Sequence, residues 1–74
     1  MSVTQCRMAR GGLQIGVREL GELAEMSPNT ITRFERGEEL KPRTVKGIKR
    51  ALEKAGVRFF ITDSGEEAVS IKVE

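Results

Sequence analysis

The residues of this chain that could take part in chemistry are mainly cations, and they cluster. Residues 27 to 50 include seven Lys or Arg and three Glu, whereas residues 57 to 74 include two basic and four acidic residues. The formal net charge of the whole chain is only +2, so the local excess is more informative than the total. A concentrated basic segment is typical of a face that binds a polyanion, although a solvated helix surface can have the same composition.

Other reactive side chains are sparse. The sequence has no histidine, no tyrosine and a single cysteine, Cys6, and it contains neither a cluster with metal-ligand spacing nor a glycine-rich phosphate loop. An enzyme is therefore not expected, and no cofactor or metal site is expected. The absence of a signal peptide, of an apolar run of about 18 residues and of a second cysteine favours a cytoplasmic protein without disulfides.

The elements that must position the cations are short helices in a single small domain. Ser2 is a candidate N-cap for a first helix, on whose apolar face Cys6 is expected to be a buried small hydrophobe. Gly16 is expected to cap a second helix from Val17 to about Glu25, and its apolar face is formed by three residues. These are Leu20, Leu23 and Ala24.

The basic segment itself is expected to contain two helices. Ser27 followed by Pro28 predicts the start of a third helix that runs to about Arg36. The serine side chain can accept a hydrogen bond from an unpaired N–H of the first turn, and proline at the first helical position has no N–H that would remain unpaired. Gly37 supplies the left-handed residue that ends this helix. Thr44 is predicted to cap a fourth helix that is closed near Gly56 and has an apolar face at helical spacing. This face comprises Val45, Ile48, Ala51 and Leu52.

After Gly56 the apolar period changes from helical to alternating. Two runs, 57–61 and 69–73, flank a turn at 63–65 and predict a β-hairpin or two linked strands. Because an isolated hairpin is only marginally stable in water, and four short helices offer little surface to cover it, these strands are expected to dimerise. The candidate dimerisation residues are Val57, Phe59, Phe60, Ile61, Val69, Ile71 and Val73.

The twenty residues from Val17 to Arg36 have the pattern of a helix-turn-helix. Small Gly21 stands where two steeply crossed helices would meet. Five positions are of the buried type: Leu20, Ala24, Met26, Ile31 and Phe34.

The stretch RELGELAEMSPNTITRFERGEELKPRTVKGIKRALEKAGV resembles the Cro/repressor (Xre-type) helix-turn-helix family of small bacterial or phage transcription regulators, whose usual form is LAxxxGVSxxTIxRxExG. The resemblance extends from residue 3 to about residue 57. Three positions depart from the pattern. Val17 replaces a phosphate-binding glutamine, Glu25 replaces the turn glycine, and Gly12 replaces a larger apolar residue.

The resemblance implies a mainly α fold, in which residues 1–56 form a four-helix, lambda-repressor-like DNA-binding domain and residues 57–74 form a β-strand dimerisation segment. It also implies that the third helix enters the major groove, while the following loop grips the DNA backbone. The implied base-contacting residues are Pro28, Asn29, Thr32 and Arg33. The implied phosphate-contacting residues are Arg18, Ser27, Lys41, Arg43, Thr44 and Lys46.

Some of these residues have alternative roles. Asn29 suits adenine and Arg33 suits guanine, but Arg33 could instead pair with a nearby glutamate. Glu35 is expected to tie the third helix to its surroundings. Arg36, Lys49 and Arg50, like Lys46, could form a solvated helix face.

The resemblance predicts a function: a dimeric repressor that binds a palindromic operator on double-stranded DNA. The alternative is a protein-interaction module, antitoxin-like or anti-activator, that binds and inhibits another protein. Val17 and Glu25 keep this alternative open, because both replace residues that the family uses at its DNA-binding motif.

Overall fold

The structure, a computed structural model, describes residues 1–73. It contains four helices, α1 (Val3–Leu13), α2 (Val17–Ala24), α3 (Pro28–Glu35) and α4 (Pro42–Lys54), followed by two antiparallel strands, β1 (Val57–Ile61) and β2 (Glu67–Ile71). The mainly helical class with a terminal strand pair, expected from the apolar periodicity, is confirmed. Within residues 1–73, no helix is long and apolar enough to cross a membrane.

The predicted starts of α1 and α3 are confirmed by their caps. The Gln5 N–H donates to Ser2 Oγ at 3.0 Å, and the Ser2 N–H donates to Gln5 Oε1 at 3.0 Å, which closes a reciprocal capping box. At α3 the Asn29 N–H donates to Ser27 Oγ at 3.1 Å, and Pro28 occupies the first helical position. These serines therefore set where the two helices begin.

The predicted start of α4 is wrong. Thr44 does not cap the helix, because the helix begins at Pro42 with Lys41 as its N-cap, and no side chain caps it. The N–H of Thr44 donates to the Lys41 carbonyl at 2.9 Å. Proline is pre-organised for the first helical position and holds the preceding residue extended, as the ψ of 141° at Lys41 shows.

The helical core is built around five fully buried side chains, Cys6, Leu20, Ile31, Ile48 and Leu52. The crossing of α2 with the turn before α3 needs Gly21, since a Cβ there would lie 2.7 Å from the Met26 carbonyl oxygen. Leu23 does not join this core as expected and is 52% exposed, because Leu20 and Gly21 occupy the buried face of α2.

The hairpin packs against the chain's own helices. Its strands pair in the register Phe59↔Val69 and Phe60↔Ala68, and Gln5 Nε2 donates to the carbonyls of both Phe60 and Ala68 at 3.1 Å. The expectation that the helices offer little cover for the strands is therefore wrong, because α1 lies across β2.

Contact between α1 and the sheet also accounts for Gly12. A Cβ at this position would lie 2.2 Å from Cδ1 of Ile71. The apolar volume that a larger residue would supply on α1 is thus supplied by β2. The turn between the strands falls at 63–65 as predicted, with Gly65 at a φ of 86°.

Candidate nucleic-acid interface

The exposed side of α3 presents the four residues expected to contact bases. Pro28 and Asn29 are exposed, and Thr32 and Arg33 are partly exposed. Asn29 and Arg33 are four residues apart and therefore share one face of the helix. The Thr32 hydroxyl donates to the Pro28 carbonyl at 3.2 Å, so its proton is used within the helix and only its oxygen lone pairs remain for a base.

Arg33 forms the ion pair that was its alternative role. Its Nε donates to Oε1 of Glu38 at 3.0 Å, and Nη2 of Arg36 donates to Oε2 of the same carboxylate at 2.9 Å. Hydrogen bonds from Arg33 and then Arg36 lower the pKa of Glu38 below its ordinary value. Glu38 therefore joins two cations at the end of α3.

The backbone brings Glu38 to this position. Gly37 adopts a φ of 92°, its N–H donates to the Phe34 carbonyl at 3.0 Å, and the Glu38 N–H donates to the Arg33 carbonyl at 3.1 Å. This pair of bonds is the Schellman motif that commonly ends helices at a left-handed glycine. The predicted stop at Gly37 is confirmed, and the chain that leaves α3 folds back beside Arg33.

A groove of about 420 Å³ lies between α3 and the start of α4. The structure brings three of the predicted DNA-contacting residues to its walls, namely Arg33, Lys41 and Thr44. Its other lining residues are Thr30, Glu39 and Leu40.

Three cations at the start of α4, unlike Arg33, make no ion pair within the described residues. Lys41, Arg43 and Lys46 are exposed and make no ion pair within residues 1–73. The Lys41 carbonyl accepts the N–H groups of Thr44 and Val45 at 2.9 and 3.2 Å. Two backbone N–H groups at this end of α4 are therefore already hydrogen-bonded. An anion that binds here would contact mainly the positively charged side chains.

Four of the six predicted phosphate-contacting residues do not line the groove, namely Arg43 and Lys46 on α4 and Arg18 and Ser27 at α2 and α3. Arg18 is exposed at the second position of α2, and Ser27 is exposed at the cap of α3. At the start of α2 the Glu19 carboxylate accepts the Gly16 N–H at 3.1 Å. A negative charge therefore lies at this helix end, close to Arg18 in the sequence.

The far end of α3 is anchored to α1, as expected for Glu35. Arg10 donates from Nε to Oε2 of Glu35 at 2.8 Å and from Nη2 to Oε1 at 2.7 Å, and it also donates to the Ile15 carbonyl at 3.2 Å. Arg7 donates to the backbone carbonyl of Glu35. The orientation of α3 is thus fixed by a charged pair that is largely buried.

Two pKa values follow from this anchor. Burial alone would raise the pKa of Glu35, but the hydrogen bonds from Arg10 and Cys6 outweigh it and lower that pKa. Burial, together with the adjacent Glu35 charge and hydrogen bond, raises the pKa of the Cys6 thiol to about 12. Cys6 is fully buried, its Sγ lying 3.4 Å from Oε2 of Glu35, which confirms its expected place in the core.

Several residues that position the site were not predicted from the sequence. Arg10 and Glu38 had no assigned role, and the role of Gln5 in holding the hairpin was not foreseen. The Ser2–Gln5 spacing is a capping-box signal that was available. Glu38 directly follows Gly37, the glycine that ends the helix of Arg33. This position was a second available signal, because a chain that turns at such a glycine folds back beside the last turn of the helix.

The candidate dimerisation residues fall into three groups by exposure: one buried, three partly buried and three exposed. Val57 is buried in its own subunit at 4% exposure, so its assignment to a dimer surface is wrong. Phe59, Val69 and Ile71 pack partly against the same core. The exposed residues are Phe60, Ile61 and Val73, at 37%, 58% and 87%.

No family model and no curated protein matches the chain. The assignment of function therefore depends on the geometry and charge of α3 and its surroundings.

Proposed function

We propose that this protein is a dimeric transcription regulator that binds double-stranded DNA sequence-specifically, with α2 and α3 acting as a helix-turn-helix in a lambda-repressor-like domain. The observation that carries the proposal is the exposed Asn29 and Arg33 face of α3 beside a groove lined by Lys41. A base-reading face next to unpaired cations is the arrangement that DNA recognition requires.

The dimensions of α3 suit the major groove. A helix with its side chains is about 10–12 Å across, which matches a major groove about 12 Å wide, and α3 has eight residues to place along it. The Asn29 amide can make two hydrogen bonds to adenine, and the Arg33 guanidinium can make two to guanine. The anchoring of Glu35 by Arg10 keeps the helix rigid enough for such contacts to discriminate between bases.

Backbone binding is the role of the cations around α4. Of the three acidic residues between 27 and 50, Glu35 is paired with Arg10 and Glu38 is paired with two arginines. Lys41, Arg43 and Lys46 have no such partner within residues 1–73. The third acidic residue, Glu39, also makes no ion pair there, but three unpaired cations outnumber it, so the unpaired charge around the groove is net positive and attracts phosphate on any DNA sequence.

The hairpin supplies the contact between two copies. Neither outer edge of the strand pair is hydrogen-bonded to a third strand within residues 1–73, and Phe60 and Ile61 are exposed beside them. Pairing of edges would cover these residues. A symmetric dimer would present two α3 helices about 34 Å apart, matching successive major grooves of a palindromic site.

The test compares Arg33→Ala with Arg43→Ala on a duplex selected by the wild-type protein from a random-sequence pool and on its scrambled counterpart. Arg33→Ala should lose about 1–3 kcal/mol per half-site on the selected duplex and little on the scrambled one. Arg43→Ala should weaken both similarly and reduce the log–log salt slope by about one per half-site.

Lys54→Ala is the matched control, because Lys54 is an exposed cation in the last turn of α4, at the opposite end of that helix from Lys41, and belongs to neither the DNA-contacting nor the dimerisation residues. It should leave both affinities nearly unchanged. Circular dichroism checks the folding of each variant. Salt-insensitive binding, or equal losses from all three substitutions, would contradict the proposal and favour a protein-interaction module.

A further inference from the structure

An acidic residue beside a DNA-binding face requires an explanation, because a carboxylate repels phosphate. Glu38 is held there by the backbone, since the Schellman bonds from Gly37 and Glu38 to the end of α3 fix the position of its Cα. Its neighbour Glu39 lines the groove between α3 and α4 and is exposed, but makes no ion pair within residues 1–73. The two glutamates therefore differ in their partners while carrying the same charge.

The geometry of the Arg33 contact is selective. Glu38 accepts from Nε, at 3.0 Å, and the two terminal Nη atoms of Arg33 make no hydrogen bond within residues 1–73. Guanine presents two acceptors, N7 and O6, at its major-groove edge. The two Nη groups form one end of a planar fork of donors that can meet both acceptors at once.

The carboxylate is itself held in place. Arg36 donates to Oε2 at 2.9 Å while Arg33 occupies Oε1, so each oxygen of Glu38 has its own arginine. Rotation of the carboxylate away from Arg33 would break both contacts. A carboxylate held in this way restricts the conformations of the Arg33 side chain before DNA binds. Less conformational entropy of that side chain is then lost on binding.

We infer that Glu38 is a positioning residue for base recognition: it orders the Arg33 side chain by its Nε and leaves the terminal nitrogens directed to guanine. This inference rests on the proposed DNA-binding function and names a determinant of its specificity. Glu38 has two opposite effects on DNA. Its charge weakens binding to every sequence, and its contact with Arg33 strengthens binding where a guanine is correctly placed.

The two effects can be separated by the ratio of the affinity for the selected duplex to the affinity for the scrambled duplex. The charge of Glu38 changes both affinities alike, whereas its contact with Arg33 changes the ratio. Glu38→Gln removes the charge and the strong contact but preserves side-chain shape, whereas Glu39→Gln removes a charge alone. Exposed ion pairs of this type correspond to a factor of about two to five. Glu38→Gln should therefore lower the affinity ratio by about two- to five-fold per half-site, while Glu39→Gln raises both affinities and leaves the ratio unchanged.

The Arg33→Ala background completes the experiment. If Glu38 acts through Arg33, Glu38→Gln should no longer lower the ratio once Arg33 is absent. Replacing the guanines of the selected duplex by 7-deazaguanine, which lacks the N7 acceptor, should lower the affinity of the wild-type protein more than that of Glu38→Gln. Thermal unfolding verifies that the variants are folded at the assay temperature.

Three results would overturn the inference: an unchanged ratio in Glu38→Gln, a ratio that rises, or a fall that persists without Arg33. Each leaves the proposed function intact, provided that the wild-type protein still selects a sequence from the pool. A wild-type protein that selects no sequence and shows no salt-dependent binding would overturn both the proposed function and the inference.

Discussion

Glu25 is a residue whose replacement should stabilise the protein. It ends α2 in the left-handed conformation, with a φ of 57° and a ψ of 45°, as expected if it occupies the place of a turn glycine. This conformation costs an L-residue about 1–2 kcal/mol in steric strain. Glycine avoids that strain but loses up to about 1 kcal/mol more backbone entropy on folding. The Glu25→Gly variant should therefore gain about 1 kcal/mol, which raises the Tm of a domain of this size by about 4–8 °C.

The assay is urea and thermal unfolding followed by circular dichroism. Glu25→Ala is the matched control, because it removes the same carboxylate from the negative end of α2 but retains the strained backbone. Gln14, which ends α1 at a φ of 58° and a ψ of 43°, provides an independent repeat through Gln14→Gly. If Glu25→Gly is no more stable than Glu25→Ala, the backbone strain at this turn is not what limits stability and the reasoning fails.

Further predictions concern the core and its charges. Arg10→Met should cost about 3 kcal/mol in urea unfolding, because it leaves the Glu35 carboxylate without its cation; a loss below about 1 kcal/mol would contradict this. The pKa of Glu35 is lower in the folded than in the unfolded chain, so stability should fall as pH drops below about 4.5, and Arg10→Met should flatten that profile. The Cys6 thiol, with its pKa raised to about 12, should react with a disulfide reagent at pH 8 only after unfolding; rapid labelling of the native protein would refute its burial. Gly21→Ala should destabilise by about 1–3 kcal/mol, since its Cβ would meet the Met26 carbonyl oxygen at 2.7 Å; wild-type stability would show that this crossing is not tight.

Features determined by neighbouring residues were predictable from the sequence. The starts at Ser2 and Ser27, the stop at Gly37 and the small residue at Gly21 all depend on interactions within a few positions along the chain. The start of α4 was assigned wrongly because two local signals competed. Thr44 is a good capping residue, but Pro42 prescribes a helical φ two positions earlier.

Long-range contacts were beyond this kind of prediction. The Arg10–Glu35 pair joins residues 25 positions apart, and no local pattern indicates that two such residues meet. The same holds for Gly12, whose lack of a side chain makes sense only once Ile71 is seen to occupy the space. The burial of Val57 was missed for a related reason, since strand periodicity identifies an apolar side without identifying what covers it.

The bonds from Gln5 to the hairpin have a consequence for how the chain is made. Gln5 is synthesised before its two acceptors, the carbonyls of Phe60 and Ala68, which lie 55 and 63 residues later. On the ribosome, α2, α3 and α4 can associate while the sheet-facing side of α1 still lacks its partner, because both strands follow all four helices in the chain. A chain released before residue 57 would expose this apolar side to cellular proteases. Synthesis of the hairpin would thus be a condition for α1 to be protected in the cell.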